Sequence, residues 1–350
     1  MHTGNQYKFI EPYDDLAKRI NDKANELYQK LSVLDISDTA IDDFGKHYFS
    51  SHHTGRRLFF SLQSSADIIY RSVKKTGKEV SALSFIDYGA GLGTLFLLAG
   101  SVGFKQVYFN DYFPQWAGYA KIICDKLGIF ITGFISGDID AVIDHGKRNN
   151  VYFDIVASRN VVEHIYNLRA FYSKFCQSGV TGICYATTTA NYHNIAMRLK
   201  HHWYHNKVEK ATYKKQREDY IKELVPGINP KDLQQLIKYT KGRAFADFTN
   251  TIDLYYSKRS IPAVEFLGTN TCDCRTGVWA EHLITRKDYF DIIQNAGLTA
   301  EYTAGFWDTN YKYTVVNLLT GFLNRVIKLS GKKGYWLAPF VNIVAIKKQQ

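Results

Sequence analysis

Apolar residues recur at helical spacing through the first eighty positions, and from about residue 83 the pattern changes to short β-rich runs. Leu16, Ile20, Leu27, Leu31 and Leu34 fall on one face of a first helix, and Leu58, Leu62, Ile69 and Val73 on one face of a second. Both precede the first strand, so residues 1–80 read as a helical lid. The runs LSFIDY and QVYFN are then separated by a helix starting at Thr94. A second helix, through Trp116, Ala120, Ile123 and Leu127, leads to the apolar run IFITGFI, which ends at Gly137 and Asp138. FDIVAS at 153–158 is a fourth strand, followed by a helix carrying Ile165, Leu168, Phe171 and Phe175 that stops at Gly179. GVTGICYATTT is a fifth strand. Strands alternating with helices predict parallel pairing through crossover connections.

The alternation breaks between about 190 and 280, in a polar, basic stretch with a helix start at Asn229-Pro230. We read residues 191–285 as a basic helical insertion that caps the acceptor side, not as a separate domain. A helix over 286–296, stopped by Gly297, then leads into LTAEYTAGFW and FVNIVAIKK as the last two strands. The expected fold is α/β, a Rossmann-like seven-stranded, mostly parallel sheet. Its core comprises 81–190 and 286–350, with the N-terminal helical extension and the helical insertion added to it. There is no internal repeat or low-complexity tract.

Composition narrows the class. The chain has 350 residues, 45% hydrophobic and 15% aromatic, enough for a substantial core. Its start, MHTGNQYKFIEPYDD, lacks a basic flank followed by an apolar run, and no stretch approaches the roughly 20 apolar residues of a membrane span. Five scattered cysteines argue against a disulfide framework, so a cytoplasmic location is expected. The net charge of +11 is partly concentrated between Arg198 and Glu218, where seven Lys or Arg face two Glu. An anionic acceptor would suit that surface, as would nucleic acid or acidic lipid, so charge alone assigns no chemistry.

The most informative segment is Phe85-Ile86-Asp87-Tyr88-Gly89-Ala90-Gly91-Leu92-Gly93-Thr94, a buried strand running into three alternate glycines and then a helix. Glycines let the backbone turn sharply and approach a ligand closely. A dinucleotide fingerprint starting at Gly89 needs glycine at position 94, and Thr94 stands there. Asp87 is poorly suited to a diphosphate but can accept hydrogen bonds from a cationic amino-acid moiety.

At these residues the chain resembles the class I S-adenosylmethionine-dependent methyltransferases, whose first motif is an acid, one residue, then G-x-G-x-G between a strand and a helix. The second motif is an acid closing the next strand, here Asp111 in QVYFND; the third falls on Gly137-Asp138. The fourth is similar to Phe153–Ile165, which contains Asn160 and His164. The resemblance covers about 83–187 well and 286–348 as topology. It implies S-adenosylmethionine as cofactor, held by Asp87, Tyr88, Gly89, Gly91, Gly93, Asp111, Tyr112, Asp138 and Asn160. Neither the Asn/Asp-Pro-Pro-aromatic signature of amino-methylating nucleic-acid enzymes nor a Pro-Cys pair is present. A small-molecule or glycan oxygen acceptor is therefore favoured over RNA or DNA, although fold alone does not choose.

An alcohol acceptor needs a general base, and histidine is the commonest near neutral pH. His164 follows the fourth strand directly. His52 and His53 precede the second N-terminal helix, where a lid would place them over the donor, and Arg56 and Arg57 could pair with an acidic acceptor or with the donor's carboxylate; His53 and Arg56 are the expected substrate contacts. The segment Thr271–His282 (TCDCRTGVWAEH) has too few ligands at suitable spacing for structural zinc, so no metal is expected. TGVWAEH with the later AGFWD resembles methyltransferase-like proteins that occur with bacterial surface-glycan and secondary-metabolite enzymes. That looser resemblance implies an acceptor pocket lined by Trp279, Glu281 and His282, with His282 competing with His164 as base. Two rivals remain: an RNA or DNA methyltransferase gripping phosphates with the insertion, and a non-catalytic S-adenosylmethionine-binding protein. The oligomeric state is not legible.

Overall fold

The computed structural model describes residues 7–258 and 261–347. Its centre is one seven-stranded sheet: β1 Ser84–Tyr88, β2 Gln106–Asp111, β3 Gly133–Ser136, β4 Phe153–Arg159, β5 Thr181–Thr188, β6 Leu298–Ala304 and β7 Val341–Lys347. The spatial order is β3-β2-β1-β4-β5-β7-β6. The first five strands pair in parallel, and β7 runs antiparallel to both neighbours. Every residue of β1 is buried, as a central strand covered on both faces must be.

One face is covered by α1 Asp15–Ser32, α3 Gly55–Thr76, α4 Leu95–Val102 and α5 Pro114–Leu127, whose apolar stripes join Phe85, Phe109, Ile155 and Tyr185 in one core. The other is covered by α6 Ile139–Asn149, α7 Leu168–Gln177 and α12 Arg286–Asn295 around Ile86, Val156 and Ile343. The seven-stranded, mostly parallel reading therefore holds. The lid over residues 1–80 needs correction, because α1 and α3 are part of the layer itself. Leu58, Leu62, Ala66 and Ile69 of α3 are each 0% exposed, and an apolar stripe so placed has nowhere else to be buried.

A short helix between them, α2 Asp43–His52, has no counterpart in the hydrophobic pattern, since only Gly45 and Phe49 are buried in it. The Asp42 side chain starts it by accepting from the Gly45 N–H at 2.7 Å. The insertion contains α8 Ile195–Val208, α9 Lys214–Leu224, α10 Pro230–Tyr239 and α11 Phe248–Lys258. It has a small core of its own around Ile221, Leu236, Ile237 and Phe248. Asn229 caps α10 and Pro230 opens it. A last helix, α13 Thr314–Leu329, fills the connection between β6 and β7.

Candidate active site

The strand order reverses between β1 and β4, and the crevice beyond their carboxyl ends is where open parallel sheets bind ligands. The turn after β1 lies there, with Gly89 and Gly91 at φ of +71° and +51°. A Cβ on Gly89 would come within 2.6 Å of the Val161 methyls, so the loop after β4 allows no side chain there. A Cβ on Gly91 would meet the Tyr48 side chain, from 3.4 Å at its hydroxyl, so Tyr48 lies over this buried part of the turn.

Two carboxylates hold this turn. Asp111 Oδ2 accepts from the Gly91 N–H at 2.9 Å, and Oδ1 from the Phe113 N–H at 3.1 Å. Burial raises its pKa, opposed by the backbone N–H groups of Phe113, Gly91 and Tyr112. Asp87 Oδ2 accepts from the Phe96 N–H at 3.0 Å in the first turn of α4. Burial pushes the Asp87 carboxyl up to about 7, opposed by that hydrogen bond and the Arg159 charge and reinforced by Asp111.

Tyr88, expected among the cofactor residues, turns its ring the other way. Side chains alternate along a strand, so Tyr88 points away from Asp87 and packs 5.4 Å from Phe171 in the opposite core. Its ring is structural. Tyr112 is 54% exposed just beyond Asp111. Asp138 is exposed and caps α6 by accepting from the Asp140 N–H at 3.0 Å. Asn160 takes a left-handed φ of +56°, and its Oδ1 accepts from the Thr189 N–H at 3.2 Å.

Arg159 and Tyr48 were not singled out by the sequence reading. Arg159 ends β4, and its Nη1 donates to the Ser61 carbonyl at 3.1 Å. Burial lowers its pKa, whereas the nearby Tyr48 and Asp87 favour its charge. Among the described residues no carboxylate forms an ion pair with it. An arginine closing an apolar strand was the available signal. Tyr48 stacks 4.1 Å from His52 and lies 4.9 Å from Trp116.

His53 is 4% exposed, its ring 4.1 Å from Phe49, and neither ring nitrogen has a partner. Its pKa falls to about 3, chiefly through burial and then through the charges of His52 and Arg159. The unfolded chain therefore takes up this proton first as the pH drops below 6.5, so the neutral native ring loses stability down to about 3. His53→Phe removes that linkage. Relative to wild type, the variant is expected to gain up to about 1.4 kcal/mol per pH unit below the unfolded value. Thermal melts of both proteins at neutral and mildly acidic pH test this; a gap independent of pH would contradict it.

Beyond Asn160 the chain makes a single turn, Val162–His164, that docks the insertion. His164 Nδ1 donates to the Trp279 carbonyl at 2.7 Å, and the His282 N–H donates to the Glu163 carbonyl at 2.7 Å. Trp279 Nε1 donates to the Tyr166 carbonyl at 3.0 Å, and its ring stacks on His282 at 4.3 Å. His282 Nε2 donates to the Phe266 carbonyl, and burial draws its pKa down to about 4. The Glu281 carboxylate is held by His201, whose other nitrogen donates to the Thr189 carbonyl at 3.0 Å. That pairing lowers the Glu281 pKa against the effect of its own burial.

A cavity of about 250 Å³ is lined by Tyr166, Arg169, Arg243, Glu265, Trp279 and His282. None of Asp87, Gly89, Gly91, Asp111 or Asp138 borders it, so Trp279 and His282 line a separate chamber between the insertion and the start of α7. Glu281 is already occupied by His201. Arg56 pairs through Nη1 with Asp308 at 2.7 Å, and its guanidinium lies 4.2 Å above the Tyr311 ring. Among the described residues no group of three His, Cys, Asp or Glu is arranged to hold a metal ion.

The reversed strand order, the antiparallel β7 and the glycine turn braced by Asp111 decide the fold. It is a Rossmann-like, mostly parallel α/β fold whose last strand is reversed. No family model matches the chain, and no curated protein does. Among solved structures it is similar to an S-adenosylmethionine-dependent methyltransferase from Mesorhizobium loti, at 15% identity over 80% of this chain and 98% of that one, with a TM-score of 0.40. It is also similar to magnesium protoporphyrin IX methyltransferase from Synechocystis PCC 6803 with bound SAH, at 12% identity over 93% and 94%, with a TM-score of 0.39.

Proposed function

We propose that this chain is an S-adenosylmethionine-dependent methyltransferase acting on an oxygen of a small molecule or glycan precursor. The observation that carries the reading is the crevice at the ends of β1 and β4. It brings together the glycine turn, the Asp111 carboxylate and a half-buried arginine with no carboxylate partner among the described residues. These groups fit the donor: Arg159 suits its amino-acid carboxylate, and the remaining lone pairs of Asp111 suit ribose hydroxyls. The exposed Asp138 carboxylate suits the adenine amino group. When bound, the donor supplies a methyl group on a positively charged sulfur.

The protein's part is to hold the two reactants in line and to take a proton. His164 is the base in this reading. Its Nδ1–H is committed to the Trp279 carbonyl, so Nε2 is the nitrogen that accepts the hydroxyl proton. His282 spends Nε2 on Phe266, and its depressed pKa makes it the weaker base.

The test is calorimetric titration with S-adenosylmethionine, its demethylated product and NADH as a control. Binding of the first two alone is expected. Arg159→Gln should weaken both by about 10- to 150-fold, since a hydrogen bond to a charged group contributes roughly 1.5–3 kcal/mol. Binding of NADH alone, or an Arg159→Gln variant with unchanged affinity, would contradict this reading.

A further inference from the structure

Two helices outside the candidate site turn apolar rows toward solvent. On α13, Val315, Leu318, Leu319, Phe322 and Leu329 are between 58% and 87% exposed. Their spacing puts them on one face, and only Thr320 and Ile327 of this helix are buried. On α8, Ile195, Leu199 and Trp203 recur every fourth residue at 62%, 60% and 66% exposure, while His201 and His205 occupy the buried face. Isolated exposed apolar residues need no explanation, but two aligned rows do.

The rows belong to neighbouring parts of the surface. The His193 ring, just ahead of α8, lies 4.9 Å from both Tyr335 and Trp336, which follow α13. Side-chain amides of Asn191 and Asn194 donate to the carbonyls of Tyr335 and Ala338. Trp336 is itself 53% exposed.

Charge distinguishes among occupants for this surface. No Asp or Glu occurs after Asp308, whereas Lys312, Arg325, Lys328, Lys332 and Lys333 flank the α13 row and are all exposed. Helix α8 carries Arg198, Lys200 and Lys207 and no acid. A second copy of the chain, docking face to face, would set these cations against their own equivalents. Apolar rows bordered by Lys and Arg, with a tryptophan at the edge, are the composition of helices that lie in the plane of a bilayer surface. No described helix is long and apolar enough to cross a membrane, which leaves in-plane docking.

We propose that α8, α13 and the turn Gly331–Trp336 form a docking face for an anionic lipid bilayer surface. The rows enter the headgroup boundary while the lysines meet lipid phosphates. Docking brings α8, whose inner face holds Glu281 through His201, to the bilayer. The inference does not depend on the proposed methyl transfer.

The test is co-sedimentation of the full chain with vesicles of phosphatidylcholine, with and without phosphatidylglycerol. Binding to the anionic vesicles is expected, and it should fall steeply as salt screens the lysines. Lys332→Gln with Lys333→Gln should weaken it roughly 30-fold, since each cation near such a surface contributes about fivefold. Leu318→Glu with Phe322→Glu should abolish it without lowering the melting temperature. The proposal is overturned by absence of binding to either vesicle, or by equal binding to both that the lysine variants leave unchanged. A vesicle-free dimer dissolved by the same Leu318 and Phe322 substitutions would overturn it too, assigning the face to a second copy.

Discussion

His164→Ala is expected to slow methyl transfer by roughly 10²- to 10⁴-fold, the usual contribution of a positioned general base, with donor affinity unchanged. The Nδ1 bond to the Trp279 carbonyl also ties β4 to the insertion, so alanine removes an anchor as well as a base. His164→Asn separates the two roles: its amide can still donate to that carbonyl but cannot take a proton at the Nε2 position. The assay is radiolabelled methyl transfer against hydroxyl-bearing small molecules and glycan precursors. If the asparagine variant keeps the wild-type rate and pH profile, His164 is an anchor only and the base lies elsewhere.

Asp111→Ala is expected to weaken S-adenosylmethionine binding by about 10- to 150-fold, from the loss of a charged acceptor. Removal of its carboxylate also frees the Gly91 and Phe113 N–H groups that keep the turn in shape, with an expected stability loss of about 1–3 kcal/mol. Titration and thermal unfolding of the same variant separate these effects. A destabilised protein with wild-type donor affinity would leave Asp111 as a brace for the turn and remove the ribose contact from the proposal.

The two variants probe parts of the site that differed in how readable they were. The glycine turn and Asp111 act within short, contiguous segments whose chemistry follows from residue type and order. Arg159 ends a strand that looked merely apolar, and its value lies in being half-buried without an ion-pair partner among the described residues, which depends on what surrounds it. Tyr88 sits in the same motif as Asp87, yet the alternation of a strand sends its ring into the opposite core. Trp279, Glu281 and His282 formed a conspicuous group in the sequence; folding gives the first and last to a separate chamber and the middle one to His201.

The sequence by itself determined the alternation of strands and helices, the parallel character of the sheet and the place of the turn after β1. Those properties follow from local periodicity and from the conformational freedom of glycine. It did not disclose α2, which buries only two residues, or that α1 and α3 complete a layer of the core and do not form a lid. Tertiary structure alone joined His164 to Trp279, left Arg159 without a carboxylate partner among the described residues and set Ile195, Leu199 and Trp203 beside the α13 surface. Each of those relations connects positions far apart in the chain, and whether a charge is paired or an apolar row is covered depends on neighbours that only folding brings together.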